Sequence, residues 1–335
     1  LESEFLMNHI SRKTRGELWL ARCLKTFYGL KTRHLEEAPK LEFSSYGPEA
    51  RIHSEPRPIP KIIWAYWNGK PPPLVQRCLD TWEFFNPHFE IRVLDDVSMQ
   101  NYLPIVPSQL HELPPTKRSD WIRLELLRLH GGIWLDASTI LTRSLDWVLE
   151  QQQLSNADFI GYYLEKYTQY PLRPVIENWF MAAPSGSPFI TDVQQEFSTQ
   201  VIPFSNEEYL ENLKKSGIYE ELLQKIDMPW YLSQHLAIQR VLHRNFKYRL
   251  FLAKAEDGPY FLHALGGWSR TPLKLRLMFS LLHRAPELIK LRSPDRKRLD
   301  LYLEKQLYVH GSIAQRYLTD LKQELSTTRS EKENR

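Results

Sequence analysis

Short apolar segments alternate with amphipathic segments between residues 61 and 183, and this alternation limits the fold more than any other feature of the sequence. The apolar segments are short enough to be strands, and they cover residues 61–67, 89–94, 133–135, 158–163 and 178–183. Helical patterns at 74–85 and 119–130 lie between them, and the second ends at a pair of glycines. Strands that alternate with helices form a mostly parallel sheet that is flanked by helices. The sequence therefore predicts an α/β fold.

The segments on either side of this region have a different pattern. Residues 1–35 predict a helix, and residues 36–60 predict a linker because they contain several prolines and no periodicity. After residue 205 the pattern is mainly helical, with predicted helices at 206–226, 231–245, 272–291 and 295–325 and a short β or loop piece at 248–267. We therefore divide the chain into an N-terminal helical segment with its linker (1–57), a sheet-bearing domain (58–270) and a basic helical extension (271–335).

Composition and charge exclude several classes of protein. The hydrophobic fraction of 42% and the charged fraction of 25% are typical of globular proteins and exclude a disordered chain. A formal net charge of +4 is too small to indicate nucleic-acid binding, and the sequence contains no nucleic-acid-binding module. Two cysteines, Cys23 and Cys78, cannot build a disulfide framework, which favours a reducing compartment. Without a signal segment or an apolar run of about 18 residues, we expect a cytoplasmic protein.

Two basic amphipathic segments have two possible interpretations each. The first lies within residues 1–35, where leucines and Phe27 alternate with arginines and lysines. The second covers residues 274–298 and has the same character. Each segment is either an ordinary helix that packs on the core with a solvated basic face, or a surface that makes peripheral contact with an anionic membrane. The second interpretation places the protein on the inner face of a bacterial membrane.

Polar side chains follow three of the predicted strands, where ligands bind in open α/β sheets. They lie at residues 66–69, at Asp95 and Asp96, and at 136–138. Asp136 follows a buried strand directly, and a carboxylate at such a position needs a partner. Residues i and i+2 of an extended chain point the same way, so Asp136 and Ser138 could face one Mg²⁺ or Mn²⁺ that bridges to a phosphate. The alternative is an aspartate that caps the next turn.

The helix before Asp136 carries charges that suit a diphosphate. Asp120 and Arg123 are three residues apart and share one helix face, either as an ordinary surface ion pair or as part of a site. Lys117 and Arg118 add positive charge nearby. No GxGxxG or GxxxxGK[ST] sequence is present, which weighs against a dinucleotide-binding or P-loop protein.

Several motifs together resemble one family. They are SDWIR at 119–123, GGIWLDAS at 131–138, IPKIIWAYW at 59–67, CLDTWEFFNP at 78–87 and NWFMAA at 178–183. A segment with Trp230, Tyr231 and His235 continues the pattern. This set resembles the capsular polysaccharide synthesis proteins, which are relatives of glycosyltransferase family 32 and carry a DXD-type motif. The resemblance covers roughly residues 58–270.

The resemblance implies a GT-A-like, Rossmann-like glycosyltransferase domain that takes a nucleotide-sugar donor. It further implies a glycan or lipid-linked acceptor in bacterial surface polysaccharide synthesis, with retention of anomeric configuration. The implied donor-binding residues are Trp64, Tyr66, Trp67, Asp95, Lys117, Asp120, Arg123, Asp136 and Ser138. The implied catalytic residues are Asp136, Asp120, Arg123 and Asn178, and the implied acceptor-side residues are Trp179, Trp230 and His235.

One departure from the family pattern concerns the metal. The usual second carboxylate of the motif is Ser138 here, and a hydroxyl is a weaker ligand than a carboxylate. The resemblance suggests His263 as a third ligand, so the expected Mn²⁺ or Mg²⁺ site consists of Asp136, Ser138 and His263. A lone histidine is also commonly a hydrogen-bonded structural residue. The same departure motivates a second hypothesis, in which the chain is a catalytically silent GT-A scaffold that binds a glycan or a partner protein.

Overall fold

The computed structural model describes residues 11–48, 57–319 and 321. Its strands are β1 (Phe43–Tyr46), β2 (Ile62–Tyr66), β3 (Glu90–Leu94), β4 (Gly132–Leu135), β5 (Thr139–Leu141), β6 (Phe159–Tyr163), β7 (Ile176–Ala183), β8 (Leu250–Lys254) and β9 (Leu288–Lys290). Its α-helices are α1 (Arg12–Leu30), α2 (Pro73–Phe85), α3 (Pro115–His130), α4 (Asp146–Ser155), α5 (Pro188–Glu196), α6 (Asn206–Lys215), α7 (Tyr219–Leu223), α8 (Ser233–Arg244), α9 (Phe261–Ala264), α10 (Arg270–Phe279), α11 (Leu299–Glu304) and α12 (Ile313–Leu318).

The main sheet in the described residues has seven strands in the order β1-β8-β6-β7-β4-β2-β3. Strand β2 pairs in parallel with β3 and β4, and β6 pairs in parallel with β8. Strand β7 runs antiparallel to both β4 and β6, and β1 runs antiparallel to β8. All strands of this sheet except β7 and β1 therefore point the same way. This confirms the predicted mostly parallel α/β sheet, against which α3, α4 and α8 pack.

A double glycine connects α3 to β4 without an intervening loop. Gly131 has φ +66° and Gly132 has φ +106°, a region that residues with a Cβ seldom adopt. A Cβ on Gly131 would lie 2.4 Å from the backbone N of Ser185, and one on Gly132 would lie 2.8 Å from the carbonyl oxygen of Ile62. The two glycines therefore let the chain turn at once into the sheet, which places the C-terminal half of α3 beside β4.

Some predicted boundaries differ from the structure, mostly outside the sheet region. Residues 36–60 contain strand β1 as well as linker. The helix predicted at 206–226 is interrupted by Gly217, which has φ +76°. The helix predicted at 272–291 ends at Phe279, and strand β9 follows because its backbone pairs with β5. In the described part of the helix predicted at 295–325, the structure has two short helices, α11 and α12.

The N-terminal and C-terminal segments share a second hydrophobic cluster. Leu18 and Ala21 of α1 are buried in this cluster with Leu277 and Phe279 of α10 and Leu303 of α11. Helix α1 covers only part of the helix predicted at 1–35, and residues 1–10 lie outside the described residues. Its opposite face exposes apolar side chains, which are Trp19, Leu20, Phe27 and Leu30. Within the described ranges, no helix combines the length and apolar character needed to cross a bilayer.

Candidate functional site

Asp136 lies at the carboxyl end of β4 and contacts two cationic side chains. Lys290 Nζ donates to Asp136 Oδ2 at 2.6 Å, and Arg123 Nη2 donates to Oδ1 at 3.1 Å. The indole N–H of Trp134 also donates to Oδ1, at 3.2 Å. Burial alone would raise the pKa of Asp136, but Lys290 and Arg123 outweigh it and hold that pKa below its ordinary value. The carboxylate is therefore ionised at neutral pH, and 31% of the side chain is exposed.

Arg123 joins Asp136 to the rest of a polar network. Its Nη1 donates to Asp120 Oδ1 at 2.6 Å and to Gln234 Oε1 at 2.9 Å. Its guanidinium lies over the ring of Trp134, with 5.1 Å between Cζ and the ring centroid. The side chain is only 5% exposed, so these bonds fix the guanidinium in a single orientation. The pair that the helix spacing predicts is therefore a buried part of the site rather than a surface ion pair.

Asn178 of β7 completes the network from the neighbouring strand. Its Nδ2 donates to Asp120 Oδ1 at 3.2 Å and to Gln234 Oε1 at 2.9 Å. Burial raises the pKa of Asp120 to about 6, although Arg123 opposes this shift. The structure thus brings together Asp136, Asp120, Arg123 and Asn178, the four residues expected to be catalytic.

Two members of the network, Gln234 and Lys290, were not predicted. Gln234 precedes His235 at the start of α8, where only the adjacent aromatic residues drew attention to the segment. Lys290 lies in a segment whose leucine and lysine pattern predicts a helix. A lysine 154 residues away from Asp136 in the chain carries no sequence signal of a contact with it.

The ends of β2 and β3 form a second polar group. The hydroxyl of Tyr66 donates to Asp96 Oδ1 at 2.5 Å, and Arg118 Nη1 donates to Asp96 Oδ2 at 2.7 Å. Asp95, which the resemblance assigns to the base, instead accepts from the backbone N–H groups of Val97 and Ser98. Asp95 therefore caps a turn, and Asp96 is the aspartate that pairs with Tyr66.

Four other residues lie in positions that do not suit the roles that the resemblance implies for them. The indole of Trp64 is buried at 1% exposure and donates to the Gly131 carbonyl at 2.8 Å. Trp179 is 3% exposed and stacks on Tyr162, and His235 is also 3% exposed. Lys117 donates to the oxygens of Phe204 and Asn206 instead of facing Asp136. Because these side chains are packed or already bonded, none of them presents a free surface to a donor or acceptor.

Three exposed or half-buried aromatic residues remain as candidate ligand-contacting surface. Trp230 and Tyr231 are 55% and 56% exposed and precede α8. Trp67 is half-buried at the end of β2, with the guanidinium of Arg296 over its ring at 5.4 Å. Burial raises the pKa of Tyr231, and the charges of Asp120, Asp136, Arg123 and Arg296 also act on it.

The predicted metal ligands do not form a free ligand set. Both oxygens of Asp136 are bonded to cationic side chains, and the hydroxyl of Ser138 donates to the Leu291 carbonyl at 2.9 Å. His263 is fully buried, and its Nε2 donates to Asp295 Oδ2 at 2.9 Å. No group of three or more His, Cys, Asp or Glu side chains in the part of the chain that the structure describes is arranged to hold a metal. The assignment of Asp136, Ser138 and His263 to a divalent cation therefore does not fit the geometry.

Glu177 is a buried acid beside the network. It is 4% exposed and precedes Asn178 on β7. Burial raises the pKa of Glu177 to about 8, while the charge of Lys290 opposes this shift. Its Oε1 lies 3.9 Å from His235 Nε2, and burial lowers the pKa of His235 to about 3. Both groups are therefore neutral at pH 7, and they do not form an ion pair.

Comparisons with known proteins give three kinds of similarity, to individual relatives, to solved structures and to a family. O-glycosyltransferase PaGT of Phomopsis amygdali is 28% identical over 152 residues, which is 38% of this chain and 36% of that protein. O-glycosyltransferase braB of Annulohypoxylon truncatum is 33% identical over 153 residues, which is 39% of this chain and 35% of that protein. The matched segment thus spans little more than a third of each relative.

The solved structures that resemble the chain superpose on it only in part. Glycosyltransferase GlyE of Streptococcus pneumoniae TIGR4 has a TM-score of 0.37 and 11% identity, with 76% of this chain and 65% of that one covered. The PaToxG glycosyltransferase has a TM-score of 0.34 and 17% identity, with 57% of this chain and 80% of that one covered.

The family comparison covers more of the chain. A family described as capsular polysaccharide synthesis protein matches residues 30–211, which is more than half of the 335 residues. This range contains Asp120, Arg123, Asp136 and Asn178. The chain therefore belongs to the capsular polysaccharide synthesis protein family.

Proposed function

We propose that this protein is a GT-A-type glycosyltransferase that moves a sugar from a nucleotide-sugar donor to an acceptor. The observation that carries the proposal is the convergence of Asp136, Asp120, Arg123 and Asn178 at the carboxyl end of β4. Ligands of open α/β sheets bind at such strand ends. Membership of the family and the names of the two fungal relatives support the same class of reaction.

The charges at the strand end suit a departing diphosphate. Cleavage of the bond between sugar and phosphate leaves negative charge on the phosphate oxygens, which fixed cationic donors stabilise. Arg123 and Lys290 are held in place by Asp136, and Arg296 contributes to the field at Lys290. The acceptor hydroxyl attacks the anomeric carbon from the face of the leaving group, and a phosphate oxygen takes its proton. This course retains the anomeric configuration and requires no separate base.

The acceptor side of the proposed site is the exposed aromatic surface at Trp230 and Tyr231. Exposed aromatic rings bind apolar faces of ligands and keep a polar edge in water. We expect a glycan or lipid-linked acceptor, as in the synthesis of bacterial surface polysaccharides. The two fungal relatives are named O-glycosyltransferases. An acceptor screen should therefore also include hydroxyl-bearing acceptors of another kind.

The test measures donor turnover in matched variants. UDP-glucose, UDP-galactose, UDP-N-acetylglucosamine and GDP-mannose are incubated with the protein, and released UDP or GDP is quantified by chromatography. Asp136→Asn and Asp120→Asn should each lower the rate about 100-fold or more, because each removes a fixed charge from the site. Asp146→Asn is the control, since Asp146 forms a half-exposed ion pair with Lys61. A folded Asp136→Asn variant with the wild-type rate would contradict the assignment.

A second candidate function is a silent scaffold that binds a nucleotide sugar or glycan without turnover. The observation in its favour is the double neutralisation of Asp136 by Arg123 and Lys290, which leaves that carboxylate fully bonded. Binding of a nucleotide diphosphate in calorimetry, combined with no turnover of any donor in the presence of sugar acceptors, would favour this candidate over the transferase.

A further inference from the structure

The C-terminal segment is bonded directly to the end of the Asp136 strand. Strand β9 pairs antiparallel with β5, so that Lys290 lies opposite Thr139. The neighbouring residues Ser138 and Leu291 are bonded in both directions. The backbone N–H of Leu291 donates to the carbonyl oxygen of Ser138 at 3.0 Å, and the hydroxyl of Ser138 donates to the Leu291 carbonyl at 2.9 Å. These bonds therefore fix the position of Lys290 beside the carboxyl end of β4.

The reciprocal bonds explain why residue 138 is a serine. The hydroxyl of Ser138 acts as a donor to a carbonyl oxygen, a role that an ionised carboxylate cannot perform. An aspartate at this position would lose this donor bond and place negative charge near the Leu291 carbonyl, although the backbone bond between Leu291 and residue 138 would remain. A serine therefore suits the observed path of residues 288–291 better than the second carboxylate of the motif.

The ammonium of Lys290 lies where the motif would hold a cation. Its Nζ is 2.6 Å from Asp136 Oδ2 and 3.4 Å from Ser138 Oγ, the two side chains that the sequence pattern directs toward one ion. The Lys290 side chain is 7% exposed and lies 5.6 Å from the ring centroid of Trp179. Residues 136 and 138 do face one cation together, but that cation is part of the chain.

A second positive charge lies on the segment that carries Lys290. Arg296 follows Lys290 by six positions in the same segment, and its charge acts on Lys290. Together the two side chains carry the charge of one divalent ion. An ammonium has three N–H donors, and within the described residues Lys290 uses one on Asp136 and points a second at Ser138. One donor is left for a phosphate oxygen.

We propose that Lys290 is a diphosphate-binding residue that supplies from within the chain the positive charge for which a divalent cation is otherwise used, so that this protein binds its nucleotide donor without metal. This proposal rests on the proposed function, because it assumes a nucleotide ligand at the Asp136 strand end. The competing interpretation is that Lys290 is only a structural counter-ion for Asp136.

The first experiment uses the wild-type chain. Protein treated with EDTA is titrated calorimetrically with UDP, GDP, CMP and dTDP, and each titration is repeated with Mn²⁺. We expect one nucleotide to bind with the same dissociation constant in both conditions. Binding that occurs only with Mn²⁺ would overturn the role of Lys290 and leave the transferase proposal intact. No binding of any of the four in either condition would overturn the nucleotide site itself, and the proposed function with it.

The second experiment compares two buried lysines. Lys274 is 9% exposed and bonded to Glu17 at 2.7 Å, much as Lys290 is 7% exposed and bonded to Asp136. Lys274 lies on α10, whose Leu273 and Leu277 belong to the second hydrophobic cluster. In EDTA, Lys290→Met should weaken binding of the best nucleotide about 30-fold or more, whereas Lys274→Met should leave it unchanged. Lys290→Arg should retain more affinity than Lys290→Met, because it keeps the charge.

Several outcomes separate binding from folding. A Lys290→Met variant that unfolds at lower denaturant but keeps the wild-type dissociation constant would show a counter-ion only and overturn the proposal. If Lys290→Met does not fold, the wild-type titrations with and without Mn²⁺ still test whether the nucleotide binds without metal.

Discussion

Replacing Glu177 by glutamine should change how the stability of this protein depends on pH. Glu177 is 4% exposed, and burial raises its pKa to about 8, against 4.5 for an unperturbed glutamate. The folded state thus holds a proton that the unfolded state releases above pH 4.5. Stability is therefore lost as the pH rises from 4.5 to 8, and the full cost of the buried charge is present above pH 8. Glutamine has nearly the same shape and does not titrate.

The size of this effect follows from the width of the pH window. Each pH unit between the two pKa values contributes about 1.4 kcal/mol to the free energy of unfolding. From pH 5 to pH 9 the difference between wild type and Glu177→Gln should therefore change by about 4 kcal/mol in favour of the variant. At pH 5 the wild-type carboxyl is already neutral, so the two proteins should differ by about 1 kcal/mol or less.

The assay is urea unfolding at pH 5, 7 and 9, followed by tryptophan fluorescence. Glu196 supplies a matched control, since it is also 4% exposed but lies 3.0 Å from Arg240 Nη1 and 3.4 Å from Arg244 Nη1. Glu196→Gln should lower stability by about 1–2 kcal/mol, because it removes an ion pair whose arginines are partly exposed. If the difference in the free energy of unfolding between Glu177→Gln and wild type is the same at pH 5, 7 and 9, the Glu177 carboxyl is ionised in the folded protein and the reasoning fails.

Two further predictions concern the α3–β4 connection and helix α1. Gly132→Ala should lower the free energy of unfolding by about 2–4 kcal/mol, because its Cβ would lie 2.8 Å from the Ile62 carbonyl oxygen at a φ of +106°. Gly69→Ala, also at positive φ but with no atom within 4 Å, should cost about 1 kcal/mol, and urea unfolding measures both. Helix α1 exposes Trp19 and Phe27 at 65% and 53%, so we expect the protein to float with anionic liposomes at low salt and to be released by about 0.5 M NaCl. A Trp19→Ala/Phe27→Ala variant should stay at the bottom of the gradient, and flotation as efficient as that of wild type would contradict membrane contact through this face.

The sequence predicts the sheet region well because local signals agree there. The apolar runs around Trp64, Val93 and Trp134 have the length of strands, and the glycines before β4 mark the end of a helix. The ends of these strands then predict the place of the site, since neighbouring parallel strands bring their carboxyl ends to one edge. That placement makes Asp136 a candidate, whereas helix spacing leaves Asp120 and Arg123 open between a surface ion pair and part of a site, and the family resemblance supplies their implied roles.

The sequence indicates that aromatic residues lie at the end of β2, but it does not indicate which of their rings are exposed. Trp64, Tyr66 and Trp67 occur together at one strand end, and all three looked like ligand-contacting aromatics. Trp64 and Tyr66 share one face of β2, but Trp64 is enclosed in the core against Tyr102, while Tyr66 lies nearer the strand end and bonds to Asp96. Only Trp67 is partly open. An aromatic cluster thus indicates a strand end without indicating which rings are free.

The C-terminal segment was predicted wrongly for a different reason. Leucines and basic residues between 272 and 291 have a pattern compatible with a helix, yet the chain leaves the helix at Phe279 and forms β9. The strand exists because β5 offers unpaired backbone groups, and that partner lies about 150 residues earlier in the chain. Local propensity carries no information on such a pairing. The extension drawn at 271–335 is for this reason part of the site, through Lys290.

Ser138 connects the sequence departure to this tertiary pairing. Considered alone, a serine in place of the second motif carboxylate suggests a weakened metal site or a silent protein. The structure pairs that serine with Leu291 in both directions and places Lys290 beside it, so one position changes from an ion ligand into an anchor for a cationic side chain. Loss of a carboxylate removes one negative charge, and gain of a buried lysine adds one positive charge. The two changes together give the strand end the same net charge as a pair of aspartates that holds a divalent ion, so under the proposed function Ser138 by itself is not a sign of lost activity.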